Sequence, residues 1–273
     1  AAFPKEAKDM AISAKNAHIL IWDNIRSISK EASDNLCIAC TGGTVAGRAL
    51  YTNDIEHVME FYFIFVLTSL HHPVTEPDLV SRGLTIHLDK LADSARKDEQ
   101  QLESELETLT PQIYRGLLEL AADCLHNLNE VEVMYPARMM SFAKWLASAE
   151  AFMELEPGIL QKEYADNIKN SYMESLQEDA FAYACYQFAC KYLAPNYWTG
   201  TPSRLLTQLS IGQSYKIVGN PKLWPQNPIS LGKRLPAIEK ALETQGVKLI
   251  LGERGKDRRI TIGLMTNEID DAA

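Results

Sequence analysis

The sequence predicts an α/β domain over residues 1–93, an all-α region over 94–195 and a small basic domain of helices and a hairpin over 196–273. Three observations predict this plan. Short, continuously apolar strands alternate with helical segments in the first region. Leucines recur at spacings of three and four through the second. The sign of the charge reverses in the third. A chain of 273 residues, 46% of them hydrophobic, is long enough to bury the cores of two or three such units.

The first region opens with a predicted helix from about Pro4 to Ala17, with Pro and Glu where a helix N-terminus favours them. Three apolar runs follow: His18-Ile19-Leu20-Ile21-Trp22, Phe61 to Leu70, and Leu84-Thr85-Ile86-His87-Leu88. Continuous apolar strands separated by helical segments are the mark of a buried parallel sheet. Through the second region Leu102, Leu106, Leu109, Ile113, Leu117 and Leu120 keep helical spacing, and Pro136, Pro157 and Pro195 divide the run into helices of ordinary length. The aromatic run Phe181, Tyr183, Tyr186, Phe188 and Tyr192 reads as packing.

The third region predicts a helix from Pro202 to Ser210 and, after a Pro-rich connection, a second helix from Ile229 to Gln245. Two short strands close it, Val247 to Leu251 and Arg258 to Ile262, joined by Gly252-Glu253-Arg254-Gly255-Lys256-Asp257. Helices followed by a basic hairpin are the order of a winged helix-turn-helix. Between Tyr197 and Met265 eleven bases face four acids, a balance of +7, so the remainder of this chain of net charge −9 carries −16. Such asymmetry marks the tail as the contact for a polyanion. Arg204, Lys222, Lys233 and Arg234 lie on or beside its helices, and Arg254, Lys256, Arg258 and Arg259 crowd its hairpin.

Several classes are excluded. No run of ~18 apolar residues exists to span a membrane, and the N-terminus lacks the features of a signal peptide. A cytoplasmic protein without a membrane partner is expected. The five cysteines, Cys37, Cys40, Cys124, Cys185 and Cys190, are odd in number and lie in helix-like segments, which fits reduced thiols. Cys37 and Cys40 lack a second ligand pair at zinc spacing, and His71-His72 lacks a third ligand. No Ser/His/Asp or Cys/His arrangement points to hydrolase chemistry.

One strand carries a chemical signal. Ile19-Leu20-Ile21-Trp22-Asp23-Asn24 ends an apolar run in an acid, the form of a Walker B strand, in which a buried parallel strand delivers one carboxylate to a phosphate-bound Mg²⁺. Further motifs follow in order: "CTGGTVAGRALYTND", "VLTSL", "PDLVSRGLTI", "PARMMSFAKWLASAE" and "WTGTPSRLL". With "IWDN", these resemble the AAA+ ATPases of phage and mobile-element primase-helicases, related in plan to superfamily III helicases. The resemblance runs through nearly the whole chain.

The resemblance implies a partial AAA+ parallel-sheet core, a helical lid and a C-terminal winged helix, together the C-terminal part of a replicative helicase. Such a protein couples ATP hydrolysis, in a homo-oligomeric ring, to movement along DNA, with a primase domain or partner. ATP and Mg²⁺ are its cofactors. Asp23 takes the Walker B position and holds the metal. Asn24 stands where many AAA+ proteins have the catalytic Glu; being unable to act as a base, it can only orient water. Thr68 falls at the first sensor, where the family shows Asn. Arg82 matches the finger that reaches a neighbouring subunit's nucleotide, and Arg138 the second sensor on the lid.

One motif is absent: Gly-x-x-x-x-Gly-Lys-Ser/Thr occurs nowhere in the chain. In the family the phosphate loop lies a few dozen residues before the Walker B strand, where only Ala1 to Ala17 stand here, and the chain begins without Met. The expectation is a portion of a longer ATPase, inactive by itself. Two readings compete with it: a non-hydrolysing DNA-binding replication or regulatory protein that keeps the scaffold for oligomerisation, and an unrelated helical adaptor with a basic tail.

Overall fold

The computed structural model describes residues 3–4, 7–15, 17–48, 56–211, 224–253 and 259–265, without the side chains of 7, 8, 45–48, 56–61 and 211. Two compact units result. One combines residues 1–82 with 169–273, and the other is 83–168.

The first part of the discontinuous unit begins with α1 (Ala7–Ala14), shorter at both ends than the sequence predicts, and β1 (Ile19–Trp22). Helix α2 (Lys30–Thr41) starts at Ser29, whose side chain accepts the amide of Ala32, and stops at Gly42 with φ 76°. Strands β2 (Gly43–Arg48) and β3 (Glu56–Phe61) pair antiparallel. Strand β4 (Ile64–Leu67) then pairs with β1 in parallel, Ile19 opposite Ile64 and Trp22 opposite Leu67. A one-turn helix, α3 (Pro77–Val80), follows.

The parallel strands depart from expectation. The sequence predicts burial on both faces, but among the described residues the pair is covered on one only. Leu20, Trp22, Phe65 and Leu67 turn toward a core built with Met10, Leu36 and Phe63. Ile19, Ile21, Ile64 and Val66 remain between 42% and 65% exposed. Apolar side chains on alternate positions made the strands look uniformly buried; helices cover one face alone. The predicted strand Leu84 to Leu88 does not form. Residues 84–88 take no strand assignment, and Leu84, Ile86 and Leu88 are exposed. Thr85 satisfies its backbone on the Asn167 amide instead, N to Oδ1 at 3.0 Å and O from Nδ2 at 2.6 Å.

In the unit 83–168, a short 3-10 turn (Asp93–Ala95) precedes α4 (Glu99–Asn127), α5 (Met140–Phe152) and the first half of α6 (Ile159–Glu178). Asp98 caps α4 through the amide of Gln101 at 2.8 Å. Pro111 and Gly116 lie inside α4, where they cost about 3 and 1 kcal/mol relative to Ala. The buried carboxylate of Glu150 organises the next connection. It accepts the amides of Gly158, Leu160 and Gln161 at 2.7, 2.8 and 3.1 Å and the Gln161 side-chain amide at 3.0 Å. A negative charge thus sits on the N-terminus of α6. Gln161 in turn accepts the amides of Met134 and Tyr135 at 2.8 and 3.3 Å. Gly158 has φ 88°, and a Cβ there would meet the Met134 sulfur at 3.0 Å.

The tail comprises α7 (Ala180–Ala189), β5 (Trp198–Gly200), α8 (Pro202–Ile211), α9 (Pro228–Glu243), β6 (Val247–Leu251) and β7 (Ile260–Leu264). Its sheet is antiparallel in the order β5-β7-β6. Phe181, Cys185 and Phe188 of α7, Leu205 and Leu209 of α8, Leu231, Leu235, Ile238 and Leu242 of α9, and Val247, Ile260 and Ile262 of the strands form one core. Gly263 lets the Tyr192 segment cross the sheet, because a Cβ there would meet the Tyr192 carbonyl at 2.8 Å and the Tyr197 ring at 2.6 Å.

Replacing Glu150 with Ala strands several buried donors at once, which costs about 3 kcal/mol or more. Urea denaturation should show that loss in Glu150→Ala, and a smaller one in Glu150→Gln, whose amide keeps one accepting oxygen.

Candidate functional site

The carboxyl ends of β1 and β4 bring three predicted residues together. Asn24 turns the chain with φ 57°, a left-handed conformation that Asn tolerates better than most residues. The turn is held from β4. The Thr68 amide donates to the Trp22 carbonyl at 3.1 Å, and the Thr68 carbonyl accepts the Ile25 amide at 2.8 Å. The Thr68 hydroxyl accepts the Asn24 amide at 3.0 Å and donates to Oδ1 of Asp23. Ser69 adds a bond from its hydroxyl to the Ile25 carbonyl at 2.6 Å. One hydroxyl therefore fixes both the turn and the carboxylate, which stands exposed at the strand end. Nothing in the sequence marked Thr68 and Ser69 for this task, because strand pairing decides which residue faces Asp23.

Arg82 lies at the end of α3, half-buried, with Nη1 donating to the Asp78 carbonyl at 2.8 Å. A cation on the carbonyls of a helix end is favourable. Its Nε is buried without a hydrogen-bond partner among the described residues. Among those residues no hydrogen bond or ion pair joins Arg82 to Asp23, Asn24 or Thr68. Its charge is felt by Cys40. That thiol is pushed up to about 11, chiefly by burial, with Cys37 adding to the rise and Arg82 opposing it. Arg138 is exposed ahead of α5, in the unit 83–168.

The basic residues of the tail fall into distinct settings. Arg204 on α8, Lys233 on α9 and Arg259 just before β7 are exposed. Arg234 turns inward and pairs with Asp179. Lys240 bonds Asp78 at 2.7 Å, and Lys248 lies over the Tyr197 ring, 5.4 Å from its centroid. Lys222, Arg254, Lys256 and Arg258 lie outside the described residues. Asp179 also caps α7, accepting the amides of Phe181 and Ala182 at 3.1 and 3.2 Å. An acid just before an apolar helical run is a legible N-cap signal; its partner 55 residues away is not.

Among the described residues no group of three or more His, Cys, Asp or Glu side chains is placed to hold a metal. None of the five cysteines forms a disulfide; Cys124 and Cys185 are buried and Cys190 is exposed. No described helix is long and apolar enough to cross a membrane.

The Cys40 thiol gives the site a readable alkaline response. In the unfolded chain it loses its proton near its ordinary value of 9.0, and in the folded chain near 11. Its contribution is therefore present in full below pH 9 and is lost as the pH rises toward 11. Denaturation midpoints across that window should fall less steeply in Cys40→Ala than in the unsubstituted chain. Parallel curves would show that the thiol is not held protonated.

Comparison with known proteins agrees with the reading of a mobile-element protein. No curated protein and no solved structure matches the chain. The family model of the actinomycete integrative conjugative element replication protein matches residues 2–167, and that of the AICE RepA C-terminal domain matches residues 181–270. The chain belongs to the family of replication proteins of actinomycete integrative conjugative elements.

Proposed function

We propose that the chain is the DNA-engaging portion of a helicase-type AAA+ replication ATPase, acting in a homo-oligomeric ring that couples ATP hydrolysis to movement along DNA. The observation that carries its DNA half is the build of the tail. A helix, a short strand, two helices and a hairpin, with the short strand on the outer edge of β7, follow the plan of a winged helix. In that plan α9 is the helix for the major groove, with Lys233 exposed near its N-terminus. The hairpin, with Arg254, Lys256, Arg258 and Arg259, lies along the backbone or the minor groove. Arg204 extends the basic surface, Lys222 adds to the positive charge of the tail, and Arg234 serves through its hold on Asp179. Membership of a replication family supports DNA as the polyanion.

The ATPase half rests on the strand-end cluster. An exposed carboxylate braced by a hydroxyl suits Mg²⁺, which keeps most of its waters and takes one or two carboxylates beside the substrate's phosphates. Asp23 would hold the ion, whose charge would offset that of the nucleotide phosphates. Thr68 fixes the carboxylate, Asn24 orients water at the turn, Arg82 serves a neighbour's site, and Arg138 serves from the helical region. The basic tail and membership of a replication family support equally a second reading, a non-hydrolysing DNA-binding replication protein that uses the scaffold for assembly.

Fluorescence anisotropy on labelled duplex and single-stranded DNA tests the tail. Affinity should fall with salt at a log-log slope of about −0.9 for each phosphate contacted, and replacing Arg254, Lys256, Arg258 and Arg259 together should flatten that slope by about 2 to 4. A folded chain that binds neither DNA at low salt would overturn the DNA reading.

Magnesium-dependent ATP turnover tests what the strand-end cluster can do without a phosphate loop. The chain by itself should show none above background, because it has no Lys and glycine loop to cradle the phosphates. Turnover of about one per second, within the ordinary enzymatic range, that vanishes in Asp23→Ala would show that the phosphates are held in another way.

A further inference from the structure

Helix α4 has 29 residues, and α5, which packs along it, has 13. At 1.5 Å per residue they are about 43 and 20 Å long. Their junction lies at the C-terminal end of α4, where Cys124 is buried and its carbonyl accepts the Ser148 hydroxyl at 3.1 Å. Within the unit 83–168 the rest of α4 carries an apolar stripe that no described residue of that unit covers. Leu102, Leu106, Leu109, Ile113 and Leu117 are each between 48% and 59% exposed. At 100° per residue they fall within a sector of about 80°, and the same sector runs on through Leu120 to the buried Cys124. Pro111 lies on the side away from the stripe and leaves the packing face whole.

We infer that this stripe packs against the same stripe of a second copy of the chain, with the two α4 helices antiparallel. The spacing of four, three, four and four residues lets the stripe interdigitate with itself as knobs into holes. The area suffices: the five half-exposed side chains and their flanking stems amount to roughly 600 Å² on each copy, or roughly 1,200 Å² for the pair, the lower end of specific interfaces. Charge sets the direction. Glu99, Glu103, Glu105 and Glu107 crowd the first turns, where Lys97 from ahead of the helix offsets Glu105. A parallel pair would set Glu99 and Glu103 of one copy beside Glu105 of the other. An antiparallel pair with Leu106 opposite Ile113 sets Glu103, Glu105 and Glu107 level with Gly116, Tyr114 and Gln112, and Glu99 level with Leu120, none of them an acid. Opposed helix dipoles favour the same direction. The pairing is independent of the roles given to Asp23 and to the tail.

Light scattering on the chain at micromolar concentration should give twice the mass of a single copy. Leu106→Lys combined with Ile113→Lys should return it to the single-chain value. Because those charges could also loosen α4, a second test adds one cysteine at a time to a chain carrying Cys37→Ser, Cys40→Ser and Cys190→Ser, which keeps only the buried Cys124 and Cys185, under copper-catalysed oxidation. Leu109→Cys, next to the two-fold axis, should cross-link to itself. Leu102→Cys, on the stripe but displaced by about 22 Å from its own copy at 1.5 Å per residue, should not. A single-chain mass for the unsubstituted protein, or any multiple that the double substitution leaves unchanged, overturns self-pairing through α4. Cross-linking at Leu102→Cys overturns the antiparallel direction.

Discussion

Asp179 is the point on which the tail is built. One carboxylate oxygen accepts the first amides of α7 and the other pairs with Arg234 of α9. A single side chain thereby fixes the start of one helix and the rotation of another about its axis. Arg234 stands between Leu231 and Leu235, both fully buried, so holding its guanidinium aims those leucines into the core. The pair is largely withdrawn from water, with side chains 18% and 30% exposed. Removing one partner would leave the other poorly solvated, and the asymmetry between making and breaking such a pair is what gives it control over geometry. The Cys185 thiol below feels both effects, driven up mainly by burial and further by the charge of Asp179.

Much of the tail was legible because each element follows one local rule. Strand β6 alternates cleanly, Val247 and Leu249 inward with Lys248 and Ile250 outward. Helix α9 carries an Asn227 cap box and a regular apolar face. Strand β5 escaped, since three residues are too few to show a period, and Trp198, Thr199 and Gly200 become a strand only because β7 offers an edge. Helix α7 was visible as a helix, but its membership of the tail core depends on contacts with residues far along the chain. Leu84 to Leu88 misled for the opposite reason: alternate apolar residues look alike in a strand and in an exposed segment, and only a partner distinguishes them. At the strand-end cluster the acid was legible from its position, whereas its brace from Thr68 depended on the β1–β4 register.

The two parallel strands and the long helix share one physical situation. Each presents a regular apolar face, and each has that face covered in part. For the strands the covered side holds Trp22 at the centre of an aromatic group with Phe3, Phe63 and Phe65 at centroid distances of 5.1 to 6.3 Å. For α4 the cover ends where α5 ends. Uncovered faces of this regularity are specific enough to choose a partner, because register along a 3.6-residue or two-residue period is set by shape before charge.

Gly263 has a consequence for how this tail can evolve. The space where its side chain would stand is taken by the Tyr192 carbonyl and the Tyr197 ring. Its partner across the sheet, Lys248, leans on that same Tyr197 ring. A side chain at 263 requires position 197 to shrink and the Tyr192 backbone to draw back, and a smaller residue at 197 leaves Lys248 without its aromatic support. The three positions are bound in epistasis, so relatives that lose the glycine should have lost the tyrosine first.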